Sequence, residues 1–455
     1  MSGFVGNAAR ATAVRLGMAG AALGAAGKLA LRGAKAYSGG ADGRKQRIAA
    51  LLGATANQRL VFALLRAAKP NLALSRKLIA AYDNTGTVIV TRHADVTEVL
   101  ERETDFAVVY EPKMRAITAG ENFFLGMQDS PAYTQDVSNM RLAVRRSDLP
   151  DVVIPYVASQ AEAIVAGSGG ALDVPQALTL PVLTGLLGHY FGTPGPSGPV
   201  MADWTTRMFW YLFVDLAGED AVTQAAMRAA AECRGWLDVA IAARKSAPAG
   251  TDQVLDRCLA LQAAGVPGMD DLGIRNNLIG LLIGLVPTLS KASVKALDVL
   301  LDRPEALAAA QAAARADDDA ALSAILWEAL RFDPVNPFIY RRAVRETVIA
   351  RGTLRAQRVP EGAMVLAANL SAMFDPIALQ KPEDFRAGRE AGGYILWGYG
   401  MHTCFGAHIN QAVIPQMLKP LLRRQGLRRA PGAAGQVDGA GTPFPVHFHL
   451  EFDSL

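Results

Sequence analysis

Between residues 396 and 408 the chain reads LWGYGMHTCFGAH, and Cys404 in this stretch is one of only three cysteines. A thiol with no nearby cysteine to pair with becomes, once ionised, either a nucleophile or a metal ligand. Gly398, Gly400 and Gly406 surround it, and glycine lets a backbone turn sharply and come close to a large flat group. A thiolate held in that way is the axial ligand that pushes electron density onto haem iron and favours O–O cleavage. His402, two residues before the cysteine, is placed to offer a hydrogen bond or a positive charge to a haem carboxylate. Taken alone, the same thiol reads first as a small buried hydrophobe, so the loop has to be judged with the elements that position it.

Those elements are mostly helical. GTVIVTRHADVTEVLER at 86–102 predicts a short β-branched strand, a turn, and a helix starting near Ala94 or Asp95. From 134 to 330 the apolar spacing is almost continuously helical, broken at GTPGPSGP (192–199) and GVPGMDD (265–271). MVLAANLSAM (364–373) and TPFPVHFHLEF (442–452) return to strand-like composition. With no internal repeat and no low-complexity linker, the fold class is α+β, mainly α, with small sheets.

Composition narrows the function classes. A chain of 455 residues, 51% hydrophobic, can bury a large core. A formal net charge of +4 argues against nucleic acid as the main partner. Cys233, Cys258 and Cys404 are odd in number and widely spaced, which suggests neither a disulfide framework nor a paired-cysteine zinc site and points to a reducing, cytoplasmic compartment. Residues 1–41 lack Asp and Glu and carry Arg10, Arg15, Lys28, Arg32 and Lys35. Their most apolar piece, LGMAGAALGAAG at 16–27, falls short of the roughly 20 apolar residues that span a bilayer. The expectation is no transmembrane segment. Residues 1–48 form a basic Ala/Gly-rich extension, either a frayed helix or a peripheral contact with a membrane surface. Residues 49–455 form a single domain.

At this point the sequence resembles the cytochrome P450 family. That family's haem-binding loop runs aromatic, Gly, any, Gly, any, His or Arg, any, Cys, any, Gly, and WGYGMHTCFG at 397–406 follows it, with Trp397 where Phe is usual. Glu328 and Arg331 in EALR match the family's E-x-x-R pair, and PEDFRAGR at 382–389 resembles the segment whose arginine, here Arg389, completes a buried network. DPVNPFIYRRA brings Arg341 to the place of a propionate-binding arginine, and FDP at 374–376 keeps the family order. MQDSPAYTQDVSNMRLAVRR (127–146) and YFGTPGPSGPVMADWTTRMF (190–209) resemble the approaches to two of the family's helices, so the similarity runs from about residue 60 to the end. The resemblance implies the triangular, helix-rich P450 fold and haem b, with Cys404 as thiolate ligand to the metal and His402 and Arg341 on the propionates. Trp397 has two readings: an indole N–H that hydrogen-bonds the thiolate, or packing in the space of Phe.

Two departures bear on mechanism. Where the family starts a helix with His or Trp and places Arg four residues on, this chain has Tyr133 and Val137. Tyr133 keeps a hydrogen-bond donor there, while Arg141 lies a turn farther along and receives no assignment. The family's central helix carries a small residue, Gly, any residue, an acid and Thr. The matching NNLIGLLIGLVPTLSKA at 276–292 retains Gly284 but has Val286 and Pro287 in place of the acid and threonine. Pro287 predicts a kink. Thr288, one residue later, either is brought by a bulge into the threonine's role or faces elsewhere. Gly284, Val286, Pro287 and Thr288 are therefore expected to border a distal site with non-standard proton delivery.

The resemblance implies an oxidoreductase that inserts oxygen into an apolar organic substrate, a monooxygenase. The missing pair favours an alternative, a peroxide-driven peroxygenase or a P450 that rearranges fatty-acid hydroperoxides, and a second alternative is a non-catalytic haem-binding or sensing protein. Trp204, Met208 and Phe209 either roof an apolar small-molecule pocket or form a core cluster. Arg141, Arg145 and Arg146, with Lys419, Arg423, Arg424, Arg428 and Arg429, flank the face where the family docks its electron donors. An acidic ferredoxin or flavodoxin suits such a surface.

Overall fold

The computed structural model describes residues 2–38, 51 and 53–453, so the expected boundary between residues 48 and 49 lies outside the described residues. The strands are β1 (Asn71–Leu74), β2 (Thr87–Val90), β3 (Phe106–Ala107), β4 (Ala171–Asp173), β5 (Ile339–Ala343), β6 (Thr347–Ile349), β7 (Gln357–Val359), β8 (Met364–Ala367), β9 (Arg428–Arg429) and β10 (His449–Glu451). The helices that matter to the site are α1 (Ser2–Ser38), α2 (Thr55–Ala68), α3 (His93–Glu101), α4 (Pro131–Ala143), α5 (Leu180–Leu186), α6 (Gly198–Phe209), α7 (Asp220–Ser246), α8 (Asp271–Leu301), α9 (Asp319–Phe332) and α10 (Ala407–Leu422). The chain is described as two compact units.

The first unit comprises Met1–Ile79, Asp83–Ala107 and Trp327–Thr403. Its sheet has the order β1-β2-β8-β5-β3. β2 is a β-branched run, TVIV, and pairs in parallel with β8 in the register Val88↔Val365. β8 is buried along its whole length, as a strand flanked on both sides should be. It ends at Ala367, and Asn369–Ala372 is a helical turn rather than more strand. The Asn369 amide donates to the carbonyls of Asn336 and Ile395 and holds the turn. α3 starts at His93, one residue before the expected start.

α1 packs along α2, with Arg32 hydrogen-bonded to Asn57. Its segment Val14–Tyr37 is long and apolar enough to cross a membrane by length and composition. The helix extends well beyond the apolar run at 16–27. The mostly buried α8 passes the same test, so the measure does not separate a span from a core helix.

The second unit comprises Ala80–Tyr82, Val108–Leu326 and Cys404–Leu455. Its centre is α8, 31 residues long and buried on nearly every face, as expected of a core helix. Asp270 caps it by accepting the Gly273 N–H at 2.7 Å. α8 remains helical through Pro287. A small sheet, β4-β10-β9, closes the C-terminal end. In the 442–452 stretch only His449–Glu451 is a strand, because Pro443 and Pro445 have no N–H to give a ladder.

Candidate active site

In the first unit the glycine loop is tight. Gly398 and Gly400 take left-handed φ of 83° and 72°, and a Cβ on Gly400 would come within 2.7 Å of the Leu100 carbonyl oxygen. The Thr403 N–H and hydroxyl both donate to the Gly400 carbonyl, at 3.1 and 2.7 Å. A Cβ on Gly398 would lie 3.8 Å from the Ile339 side chain on β5, two residues from Arg341, and residues two apart on a strand share a face.

Arg341 is only 3% exposed. Its Nη1 donates to the Tyr340 carbonyl at 3.2 Å, its Nε has no hydrogen-bond partner, and it forms no ion pair among the described residues. A buried guanidinium without an anion is strongly unfavourable, so this position is built for a carboxylate the chain itself does not supply. His402 is placed differently. Its Nδ1 lies 3.2 Å from Glu103 Oε2, with both side chains nearly buried, so it already faces a carboxylate of its own chain. Trp397 stacks edge-on against Trp327, with ring centroids 5.2 Å apart, which is the packing reading.

Glu328 and Arg331 are both fully buried. Arg331 Nη2 and Nε donate to the two Glu328 oxygens at 2.8 and 3.0 Å, and Arg389 Nε adds a third bond at 3.2 Å. The Tyr394 hydroxyl and the Arg386 N–H also donate to Glu328, while Arg331 reaches the carbonyls of Met373 and Pro382. Burial would raise the Glu328 carboxyl, but Arg331, the Arg386 N–H and Arg389 hold it below the usual carboxylate range.

In the second unit Cys404 is half-buried. Burial pushes its thiol up, opposed by the Gly406 N–H and Arg141. Gly406 caps α10 at an ordinary φ of −84°, and a Cβ there would meet only Asn410 Oδ1, at 3.7 Å, so no protein neighbour demands glycine. On α4 the Tyr133 N–H is taken by the Ser130 hydroxyl as a cap. Two turns on, Arg141 Nη1 donates to the Phe405 carbonyl at 2.8 Å and its guanidinium lies 3.8 Å from that ring's centroid. Arg141 is thus the α4 residue that grips the cysteine loop, and sequence reasoning left it unassigned. Buried His408 is pushed down to about 4 by burial and then by Arg141 and Arg146. Asp136 accepts from Asn277 at 3.1 Å, tying α4 to α8, and burial raises its carboxyl despite that bond.

On α8, Gly284 is exposed, with nothing within 4 Å of where a methyl group on it would sit, and Thr288 is half-exposed. The Thr288 hydroxyl donates to the Gly284 carbonyl and to that of Leu285, the latter at 3.2 Å. Residues four apart share a helix face, so these two form one open patch. Val286 is fully buried and points away from it. Pro287 instead lines a cavity of about 1000 Å³, together with Ala202, Thr206, Trp210, Lys291 and Phe444. Of the four expected distal residues, Gly284 and Thr288 thus share the open face, Val286 is buried and Pro287 faces the cavity. Trp204, Met208 and Phe209 are core residues, with the Trp204 indole donating to Glu232 at 2.8 Å.

The basic residues are largely engaged by the chain's own acids. Lys419 pairs with Asp317 and Asp319, Arg423 with Asp317, Arg424 with Glu162, Arg428 with Glu451, and Arg429 with Asp298 and Asp302. Arg145 donates to the Leu142 carbonyl at 2.9 Å and makes a loose, exposed ion pair with Asp252 at 3.5 Å.

Taken separately, the stranded Arg341 guanidinium of the first unit fits a carboxylate such as a haem propionate, and the partly open Cys404 of the second unit fits the thiolate ligand of haem b. Comparison with known proteins agrees. No protein-family model matches the chain. It is similar to the erythromycin C-12 hydroxylase of Saccharopolyspora erythraea, 25% identical over 355 residues, covering 76% of this chain and 83% of that protein. A bifunctional dioxygenase–epoxy alcohol synthase of Pyricularia oryzae is 31% identical over 114 residues, 25% of this chain. The chain spans about a tenth of the length of the first curated relatives it matches. Among solved structures, P450BioI in complex with an acyl carrier protein carrying hexadec-9Z-enoic acid superposes with a TM-score of 0.74 at 16% identity, covering 88% of this chain and 99% of that one.

Proposed function

We propose that the chain is a cytochrome P450, similar as it is to the erythromycin C-12 hydroxylase, and acts as a haem-thiolate monooxygenase that inserts oxygen into an apolar organic substrate, with a proton-delivery helix that keeps the hydroxyl and lacks the acid. The observation that carries this reading is the Thr288 hydroxyl on the open face of α8, donating to Gly284. In that register Thr288 takes the family threonine's place and Pro287 the acid's.

When bound, a thiolate-ligated haem supplies oxygen activation, the thiolate favouring O–O cleavage. The chain's own residues do the rest. Arg341 neutralises a carboxylate in a buried position, Arg141 fixes the backbone beside Cys404, and Thr288 holds a proton where a group within hydrogen-bond reach can take it. With Pro287 in the acid's place, that proton is replenished by water or by the substrate. Electrons come from an acidic ferredoxin or flavodoxin, for which Arg145 and Arg146 supply exposed positive charge. The saturation of the other basic residues implies only modest salt sensitivity. Product formed in proportion to reductant consumed, in the presence of an apolar substrate, supports the reading. Product formed with added peroxide but none with reductant overturns it.

A second reading rests on the missing acid together with the similarity to the dioxygenase–epoxy alcohol synthase. Isomerising an unsaturated hydroperoxide to an epoxy alcohol keeps every atom and needs no reductant, so it does not call on a proton relay from solvent. Conversion of a linoleate hydroperoxide without reductant selects this reading.

A further inference from the structure

The chain has six histidines, and two of them stand two residues apart at the C-terminal end, in the sequence PVHFHLEF. His449 lies on β10 directly opposite Asp173 on β4. His447, two residues back, falls on the same face. The rings of His447 and His449 stack nearly parallel, 6.1 Å apart. His447 Nδ1 is 2.6 Å and His449 Nε2 is 3.7 Å from the same oxygen, Asp173 Oδ2. All three ligand atoms lie within 4.8 Å of one another.

We propose that His447, His449 and Asp173 form a binding site for a borderline divalent transition-metal ion, with Zn²⁺ the natural probe. Two imidazoles and a carboxylate are a donor set such ions favour. Tetrahedral zinc with bonds of about 2.0–2.1 Å needs its ligand atoms roughly 3.3 Å apart. The two measured spacings bracket that value, so small ring rotations suffice. The carboxylate is already oriented: Asp173 Oδ1 accepts the Phe448 N–H at 2.9 Å, leaving Oδ2 for the metal in the way that outer partners commonly fix a ligand. Both histidines are about half exposed while Asp173 is mostly covered, which gives the ion a path in and leaves a coordination position for water. Glu451, next along the same face, is held by Arg428 and stays outside the ligand set. Binding replaces the His447–Asp173 hydrogen bond and releases its proton.

The position gives the ion a structural consequence. Asp173 immediately precedes the segment that carries Gln176, whose amide donates to the Val446 carbonyl at 2.9 Å. Gln176, Phe444 and Val446 all line the 1000 Å³ cavity. An ion bridging Asp173 to His447 and His449 therefore clamps one wall of that cavity. Equilibrium dialysis of the full haem-loaded chain, free of any polyhistidine tag, against zinc chloride tests the site. The expected result is one saturable equivalent, weakened in both His447→Ala and His449→Ala by more than the ~10–100-fold that loss of an orienting partner alone costs. Haem content should be unchanged in the two variants. Absence of a saturable equivalent in the native chain, or equal binding in the histidine variants, overturns the site. Amide exchange over residues 438–448 should slow on adding zinc to the native chain, and an unchanged exchange rate overturns the clamp.

Discussion

Arg141 and Phe405 are joined twice, by a hydrogen bond of 2.8 Å from guanidinium to carbonyl and by the guanidinium lying 3.8 Å from the ring centroid. The residue after Cys404 is thereby anchored to α4. Hydrogen bonds to charged groups contribute roughly 1.5–3 kcal/mol, and the exposure of Arg141 puts this one at the low end. Arg141→Ala should speed haem loss to a scavenging apoprotein by roughly tenfold. Arg141→Lys should recover only part, because an ammonium cannot also lie flat over the ring. Unchanged haem loss in Arg141→Ala would show the contact to be incidental.

Glu328 and Arg331 have no solvent exposure. Removing one partner strands the other, at a cost of about 3–5 kcal/mol. Arg331→Ala should therefore yield little haem-loaded protein and a clearly lowered melting temperature, and Glu328→Gln a smaller loss of the same kind. Normal melting in both would contradict a buried network.

The α8 register makes a directional prediction. Thr288→Val should cut reductant-driven turnover and leave peroxide-driven turnover nearly intact. Val286→Asp should instead destabilise the chain by several kcal/mol, since it places a carboxylate at a fully buried position. Indifference of reductant-driven turnover to Thr288→Val would assign proton delivery to water alone.

His408 is held neutral, with its folded-state pKa pushed down to about 4 from an ordinary 6.5. Between those values the unfolded chain binds the proton more readily, so stability is complete above about pH 6.5 and falls as the pH drops toward 4. Denaturant titrations of His408→Gln should show a shallower acid slope across that window. An identical slope would mean that other groups set the acid limb.

The cysteine loop and the Glu328–Arg331 pair were legible in the sequence because their local spacing, glycines at fixed offsets and an acid and a base one helical turn apart, matches motifs of the family it resembles, and Arg389 was reached only through that resemblance. Arg141 was not legible. Its target, Phe405, is reached through the packing of α4 against a distant segment, and nothing in the local pattern of α4 distinguishes Arg141 from its basic neighbours. The same holds for His402, whose contact with Glu103 depends on which loop of the sheet unit folds beside it. In α8 a proline marks a position along the helix but not its rotation. Only burial shows that Gly284 and Thr288 share the open face while Val286 turns inward.

Cys233 and Cys258 are fully buried, and burial pushes both thiols up to about 12. At neutral pH they are shut off from an alkylating reagent by both access and ionisation. Among the described residues Cys404 is the only cysteine that is not buried, and ligation to iron would close it too. Each molecule thus carries its own built-in label of occupancy. Mass spectrometry after brief alkylation should find one modified cysteine on a chain without haem and none on a chain that holds it, so a preparation can be graded molecule by molecule without a spectrum.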